Sequence, residues 1–414
     1  MKKCLKLIFL MTLMVVFAAT FSACGTAPQT APEQPAVEIE TPAEPEPEPE
    51  PEYEAEDEAY EADQEAAEET PAVADALAAS DVQIALIAHS PDSILDDGSF
   101  NEGAWQGIQR FISTHGLPAD NARFFQPHAA DDVARIDLIA DAIGAGANIL
   151  VLPGFHFESS LYEAQDMFPD TKFVLLDASP RRDGNVRLSN NLAAIHYAEE
   201  EAGFLAGYAA VMEGYRNLGF MGGIAVPAVV RFGHGFIQGA EHAAAVLDLS
   251  PGDITINYNY IGSFAPDPAV ATTAASWFAA GTEVIFAAAG GAGFSVMSGA
   301  EGAGGSTIGV DVDQAHLSPT VITSAIKGLD VSVYDMLTDF LEGNFRGGRE
   351  LRFDASINGI GLPMHSARFQ NFTQAQYDAI FAQLADGSIV VSNVVTPTVA
   401  EAGLNLSLVT VVEI

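Results

Sequence analysis

The chain has 414 residues, with 17 Lys plus Arg against 56 Asp plus Glu and a formal net charge of −39 at pH 7. So few cations exclude a nucleic-acid-binding surface and attraction to anionic lipid, since both depend on basic side chains. The two cysteines stand at positions 4 and 24, so the remainder of the chain has no disulfide, thiolate nucleophile or cysteine metal site.

At the N-terminus Lys2, Lys3 and Lys6 precede an apolar stretch from Leu7 to Phe21, followed by Ser22 and Ala23, the layout of a secretory signal. The stretch is shorter than the roughly 18 apolar residues that read as a spanning helix. Phe21-Ser22-Ala23-Cys24 resembles a bacterial lipobox, which makes 1–23 a signal peptide and Cys24 the lipidated first residue of the mature chain. From 24 to about 80 Pro, Glu and Ala dominate, with Glu-Pro alternation from Glu44 to Glu52. Alternating prolines favour extended polyproline conformation and like charges repel, so this segment is expected to be a disordered acidic tether.

From Asp81 onward short apolar runs alternate with longer Ala-rich stretches of helical spacing, the mark of parallel β/α units. Strands are expected at Val82–Ala88, Ala122–Phe125, Ile149–Leu152, Lys172–Leu176, Asn217–Met221, Thr255–Tyr260, Val284–Ala288 and Thr307–Val310. Helices are expected at Asn101–Thr114, Asp131–Gly144, Glu158–Phe168, Ala194–Glu213, Gly233–Val246, Pro268–Ala280 and Gln374–Leu384, with a last strand-like run at Ser388–Val391. So many β/α units predict an α/β fold, doubly wound, in two similar halves. After Gly347 the segment to Ser366 is expected to cross back between the halves. Ligands in such sheets bind beyond the carboxyl ends of the strands.

The first strand runs into a polar loop, His89 to Asn101, which reads either as an ordinary helix cap or as a ligand contact carrying the aromatic ring of Phe100. Asp177 and Asp311 each end an apolar run, where a carboxylate serves as a turn former or accepts hydrogen bonds from ring N–H groups or sugar hydroxyls. Lys327 ends another such run in a region poor in cations.

Eight segments occur in order: Asp96 to Asn101; Phe168-Pro169-Asp170-Thr171-Lys172-Phe173 with Asp177; Glu200 to Gly207; Gly219 to Gly223; Arg231 to Phe236; Ile261 to Phe264; Ala289 to Gly293; and Gly309 to Gln314. On these the chain resembles the Basic Membrane Protein family of ABC-transporter substrate-binding lipoproteins, whose better-understood members bind purine nucleosides. The resemblance covers nearly the whole region after the tether and departs from the family at Gly98, where lysine is usual. It implies a type I periplasmic-binding fold, two doubly wound parallel-sheet lobes joined by a hinge. Residues 81–190 with 320–350 would form the first lobe, and 191–319 with 351–414 the second. The ligand would lie between them. Phe100 and a ring of the second lobe, Phe264 or alternatively Phe232, would sandwich the base. Asn101 and Asp177 would hydrogen-bond it, Asp311 and Lys327 would hold the ribose, and Gly291 would allow close backbone approach.

The resemblance thus implies a monomeric protein held at the outer face of the cell membrane through its lipid, with a nucleoside ligand, ABC permease subunits as partners, and neither cofactor nor metal. The chain is not expected to be an enzyme. Gly290-Gly291-Ala292-Gly293 lacks the full dinucleotide spacing, and the histidines form no His-Glu-x-x-His run. The alternatives are the same fold binding another small solute, a surface receptor or adhesin, and a nucleoside-cleaving enzyme.

Overall fold

The computed structural model describes residues 77–396 and 398–414. The signal peptide expected at 1–23, Cys24 and nearly all of the expected tether lie outside the described residues.

In chain order, β1 (Ile84–Ile87), α1 (Phe100–Thr114), β2 (Ala122–Phe125), α2 (Asp132–Gly144), β3 (Ile149–Pro153), α3 (Glu158–Met167) and β4 (Lys172–Leu176) come first. A small hairpin, β5 (Arg181–Arg182) and β6 (Asn185–Val186), then leads to β7 (Leu192–Tyr197). The chain continues through α4 (Glu199–Glu213), β8 (Asn217–Gly222), α5 (Pro227–Val246), β9 (Ile254–Tyr260), α6 (Pro268–Ala279), β10 (Val284–Ala288), α7 (Ala292–Ala303), β11 (Ser306–Asp311) and β12 (Val321–Lys327). Last come α8 (Leu329–Leu341), β13 (Arg349–Phe353), β14 (Ile360–Gly361), α9 (Gln374–Ala385) and β15 (Val409–Glu413).

The strands form a six-stranded sheet in the order β13-β7-β4-β3-β1-β2 and a seven-stranded sheet in the order β14-β12-β11-β10-β8-β9-β15. Within them only the short β14 runs antiparallel to its neighbour. Both faces of each sheet are covered at its inner strands, which is why β1, β3 and β10 read as continuous apolar runs instead of alternating ones. In β1, Ile84 and Leu86 pack into one core while Ala85 and Ile87 pack into another on the opposite face. In the second sheet Phe220 and Phe286 face one core, Met221 and Ile285 the other. This is the expected architecture of two doubly wound parallel-sheet lobes. No helix of the described residues is long and apolar enough to cross a membrane.

The chain passes between the sheets three times: at Ala198 between β7 and α4, at Gly328 between β12 and α8, and through 354–359 between β13 and β14. Backbone hydrogen bonds tie these crossings together, Ala198 N–H to Phe353 O at 3.0 Å and Gly328 N–H to Gly359 O at 2.8 Å. The crossing of 347–366 is as expected, but the division of the chain is not. Residues 192–197 and 349–353 lie in the first sheet and 321–327 in the second, where the sequence reading had put 191–197 and 351–353 in the second half and 320–327 in the first.

The same region corrects a helix. Ala194–Glu213 was expected to be helical throughout, yet its first residues belong to β7, held between β4 and β13, and the helix starts only at Glu199. An Ala-rich strand buried on both faces has no period of its own, so pairing with its neighbours overrides its helix propensity. Ser388–Val391 forms no strand either. Just beyond it the Gln238 side chain clamps Ser392, accepting from its N–H at 2.9 Å and donating to its carbonyl at 3.0 Å.

Helices α4 and α5 cross at glycines. A methyl on Gly207 would fall on the carbonyl oxygen of Phe236, and one on Gly239 on that of Phe204. This close crossing brings Arg231 and Phe232 of α5 beside Glu199 at the start of α4.

Candidate functional site

A cavity of about 500 Å³ lies at the carboxyl ends of the strands of both sheets. All eight residues singled out in the sequence line it: Phe100, Asn101, Asp177, Phe232, Phe264, Gly291, Asp311 and Lys327.

The loop before α1 is built by Asp97. Its carboxylate accepts from the N–H groups of Ser99 at 3.0 Å, Asn101 at 3.0 Å and Glu102 at 3.1 Å, capping the free end of the helix. Burial outweighs those hydrogen bonds and pushes Asp97 up to about 6. The loop therefore caps α1 and also sets the half-buried Phe100 ring in the cavity wall. Asn101 is committed to the loop itself, its Nδ2 donating to Ile94 O at 3.1 Å.

Asp177 and Asp311 close β4 and β11 with φ of 59° and 67°, in the left-handed region that aspartate tolerates better than most residues. The turn aims both carboxylates at Lys327, which is only 5 % exposed at the end of β12. The Lys327 ammonium contacts Asp177, lies 3.4 Å from Glu199 Oε1 and 3.6 Å from Asp311 Oδ1, and sits 4.9 Å from the centre of the Phe100 ring. Burial opposes its charge, but these three carboxylates outweigh burial and hold its pKa above the ordinary value. Burial also pushes Asp177 up to about 7; Lys327 resists this, while Glu199 and Asp311 reinforce it. Glu199, fully buried, goes the other way. Burial would raise it, yet Lys327 and Arg231, whose Nε donates to it at 2.6 Å, keep its pKa low. Among the described residues Asp177 Oδ1 is buried without a hydrogen-bond partner. Leaving such an acceptor unpaired costs about 1–3 kcal/mol.

The two candidate rings of the second lobe differ. Phe264 sits half-buried in the loop after β9 and packs over Gly290, while Phe232 is 2 % exposed in the body of α5, edge-on to Phe286 at 5.7 Å. The place of Phe232 is a helix face under the lysine, 5.3 Å from Nζ. Gly291 has an ordinary φ of −59° as it enters α7, and its open side faces Phe264 O and Pro266; the glycine that the backbone requires is Gly290, at φ 52°.

Contacts also run across the cleft. Ser99 Oγ donates to Asp311 Oδ2 at 2.6 Å, and Gln314 Nε2 donates to Gly98 O at 2.7 Å. Gly98 has φ 63°, and a Cβ there would lie 2.8 Å from Phe294 Cζ, so the glycine lets this aromatic ring of the second lobe close over the first.

Glu199, His89, His156, Phe294 and Gln314 were given no role at the site from the sequence. Glu199 follows a strand end just as Asp177 does, but the run that contains it read as helix, which hid the strand. The other four stand in loops or on helix faces where residue type alone carries no signal.

The sequence profile described as "ABC transporter substrate-binding protein PnrA-like" matches residues 83–390. Similar curated proteins include an "ABC transporter nucleoside-binding protein BmpA" of Lactococcus lactis, 27 % identical over 70 % of this chain and 83 % of the relative. "Basic membrane protein D" of Borreliella burgdorferi is 27 % identical over 68 % of this chain and 80 % of its own. Among solved structures, an ABC transporter solute-binding protein from Aeropyrum pernix superposes with a TM-score of 0.63 at 21 % identity, covering 78 % of this chain and 95 % of the other. One from Conexibacter woesei gives 0.62 at 23 %, covering 75 % and 99 %. With two parallel-sheet lobes, three crossings and a cavity at the strand ends, the chain belongs to the PnrA-like family of ABC transporter substrate-binding proteins.

Proposed function

We propose that the cavity binds a nucleoside with a purine base, and that the chain delivers it to ABC permease subunits from a lipid anchor at Cys24 on the outer face of the membrane, without chemical change to the ligand. The observation that carries this reading is the pairing of aromatic walls, Phe100 and Phe264, with the buried, unpartnered acceptor of Asp177 in one cavity. A flat base satisfies both, stacking on the rings and donating a ring or amino N–H to the carboxylate. The name of the Lactococcus lactis relative supports the same ligand class. Asp311 and Lys327 remain the sugar-facing groups, with Lys327 exchanging part of its contact with Asp177 for ligand hydroxyls.

Calorimetric titration tests this reading. The purified protein, unfolded and refolded to strip any carried-over ligand, is titrated with purine and pyrimidine nucleosides, free bases and ribose. Binding of a purine nucleoside that is recovered intact is expected. Phe100→Ala should weaken it by roughly 1–3 kcal/mol, the worth of one stacked base, and Asp177→Ala should weaken it further. No heat with any nucleoside from a folded sample would sink the ligand assignment and turn the search to other small solutes.

A further inference from the structure

The first lobe contributes to the cavity wall a set of rings that none of the contacts above uses. His156, in the turn after β3, has its ring centre 4.0 Å from that of Phe155 and 4.1 Å from that of His89, with interplanar angles of 29° and 9°. Two rings that close cannot share one face of an imidazole, so His156 is clamped between them. Only its edge is left to meet the cavity that all three residues line. Among the described residues no hydrogen bond engages the ring nitrogens of His156, whereas Nδ1 of His89 is paired with Ser93 Oγ at 3.3 Å.

Gly154 fixes where that edge lies. A Cβ placed on Gly154 would be 3.9 Å from Phe100 Cε1 and 4.0 Å from His156 Nδ1, so the imidazole edge and the Phe100 ring flank the same point of the cavity wall. Burial, followed by the neighbouring His89 and Arg135, pushes His156 down to about 4. At neutral pH it therefore offers one N–H donor and one nitrogen acceptor.

We propose that His156, steadied by the His89 ring stacked on it, reads the hydrogen-bonding edge of the base lying on Phe100 and so determines which bases the cavity prefers. The proposal rests on the nucleoside reading above. His156 is the contact, and His89 a positioning residue.

The test is titration of wild-type protein and variants with inosine, adenosine, guanosine, cytidine and uridine. His156→Ala is expected to weaken the preferred nucleoside about tenfold, the loss of one buried hydrogen bond with its partner left unpaired, and to flatten the order of preference. His156→Gln keeps a donor and an acceptor and should restore part of both. His89→Ala should weaken binding, while His89→Phe, which keeps the stack, should restore it to within about twofold of wild type. In wild-type protein the imidazole ¹⁵N signals of His156 should shift on saturation with the preferred nucleoside, a readout that holds even if a variant fails to fold. Unchanged affinities and preferences in folded His156→Ala, or unshifted ¹⁵N signals on saturation, would overturn the proposal and leave the nucleoside reading standing. Absence of nucleoside binding to wild type would end both.

Discussion

At the scale of single residues, the site gathers carboxylates where burial disfavours charge, and Asp97 shows the consequence most simply. Its pKa of about 6 lies above its unfolded value, so the folded state holds this proton more tightly than the unfolded chain. The stability contributed this way is fully present below about pH 4 and is lost as pH rises through about 6. Asp97→Asn lacks that decline while keeping one acceptor for the α1 cap. The unfolding free energy of the variant relative to wild type, from urea melts between pH 4 and 7, should therefore rise with pH. A pH-independent difference would mean that Asp97 is ionised throughout. The strand-end carboxylates Asp177 and Asp311 were legible in the sequence, because an aspartate closing an apolar run stands out. Their relation to Lys327 was not, since it depends on a left-handed turn at each strand end that brings three separate strands to one ammonium.

At the scale of elements, the sequence was most readable where an element has a period or a cap of its own. Gln374–Ala385 carries a capping box, Thr373 with Gln376, and was found within one residue. It was least readable where neighbours decide. Leu192–Tyr197 is a strand because β4 and β13 flank it. The α4 and α5 pair depends on neighbours in a different way, through glycines that let the two backbones touch. Gly239→Ala puts a methyl on the Phe204 carbonyl, and its only relief is to spread the helices. A loss of about 1–3 kcal/mol in denaturant unfolding is expected, in line with overpacked cores. Because α5 carries Phe232 to the cavity and Arg231 to Glu199, ligand affinity should fall with it. Retained stability would mean that the crossing is looser than described.

At the scale of the whole molecule, the two lobes meet through the crossings and through direct contacts: Ser99 with Asp311, Gln314 with Gly98, and Phe294 over Gly98. Removing both hydrogen bonds in a Ser99→Ala, Gln314→Ala double variant takes away roughly 1–3 kcal/mol of closure. The unliganded variant should show a larger radius of gyration in small-angle X-ray scattering and contract on binding, while the wild type changes less. Identical unliganded radii would show that these bonds do not hold the lobes together.

The three crossings also govern the order in which the molecule can be completed. The outermost strand of the first sheet, β13, lies in the chain beyond β8 to β12 of the second, and the second sheet in turn waits for β14 and β15. While the chain is being made, the first sheet therefore presents the bare edge of β7 until Phe353 has emerged, and an unpaired edge is a template for wrong pairing. Neither lobe is a continuous stretch that could be expressed on its own by cutting the chain once, so a nascent chain halted between Tyr260 and Arg349 carries two unfinished sheets, the first of them with the edge of β7 bare.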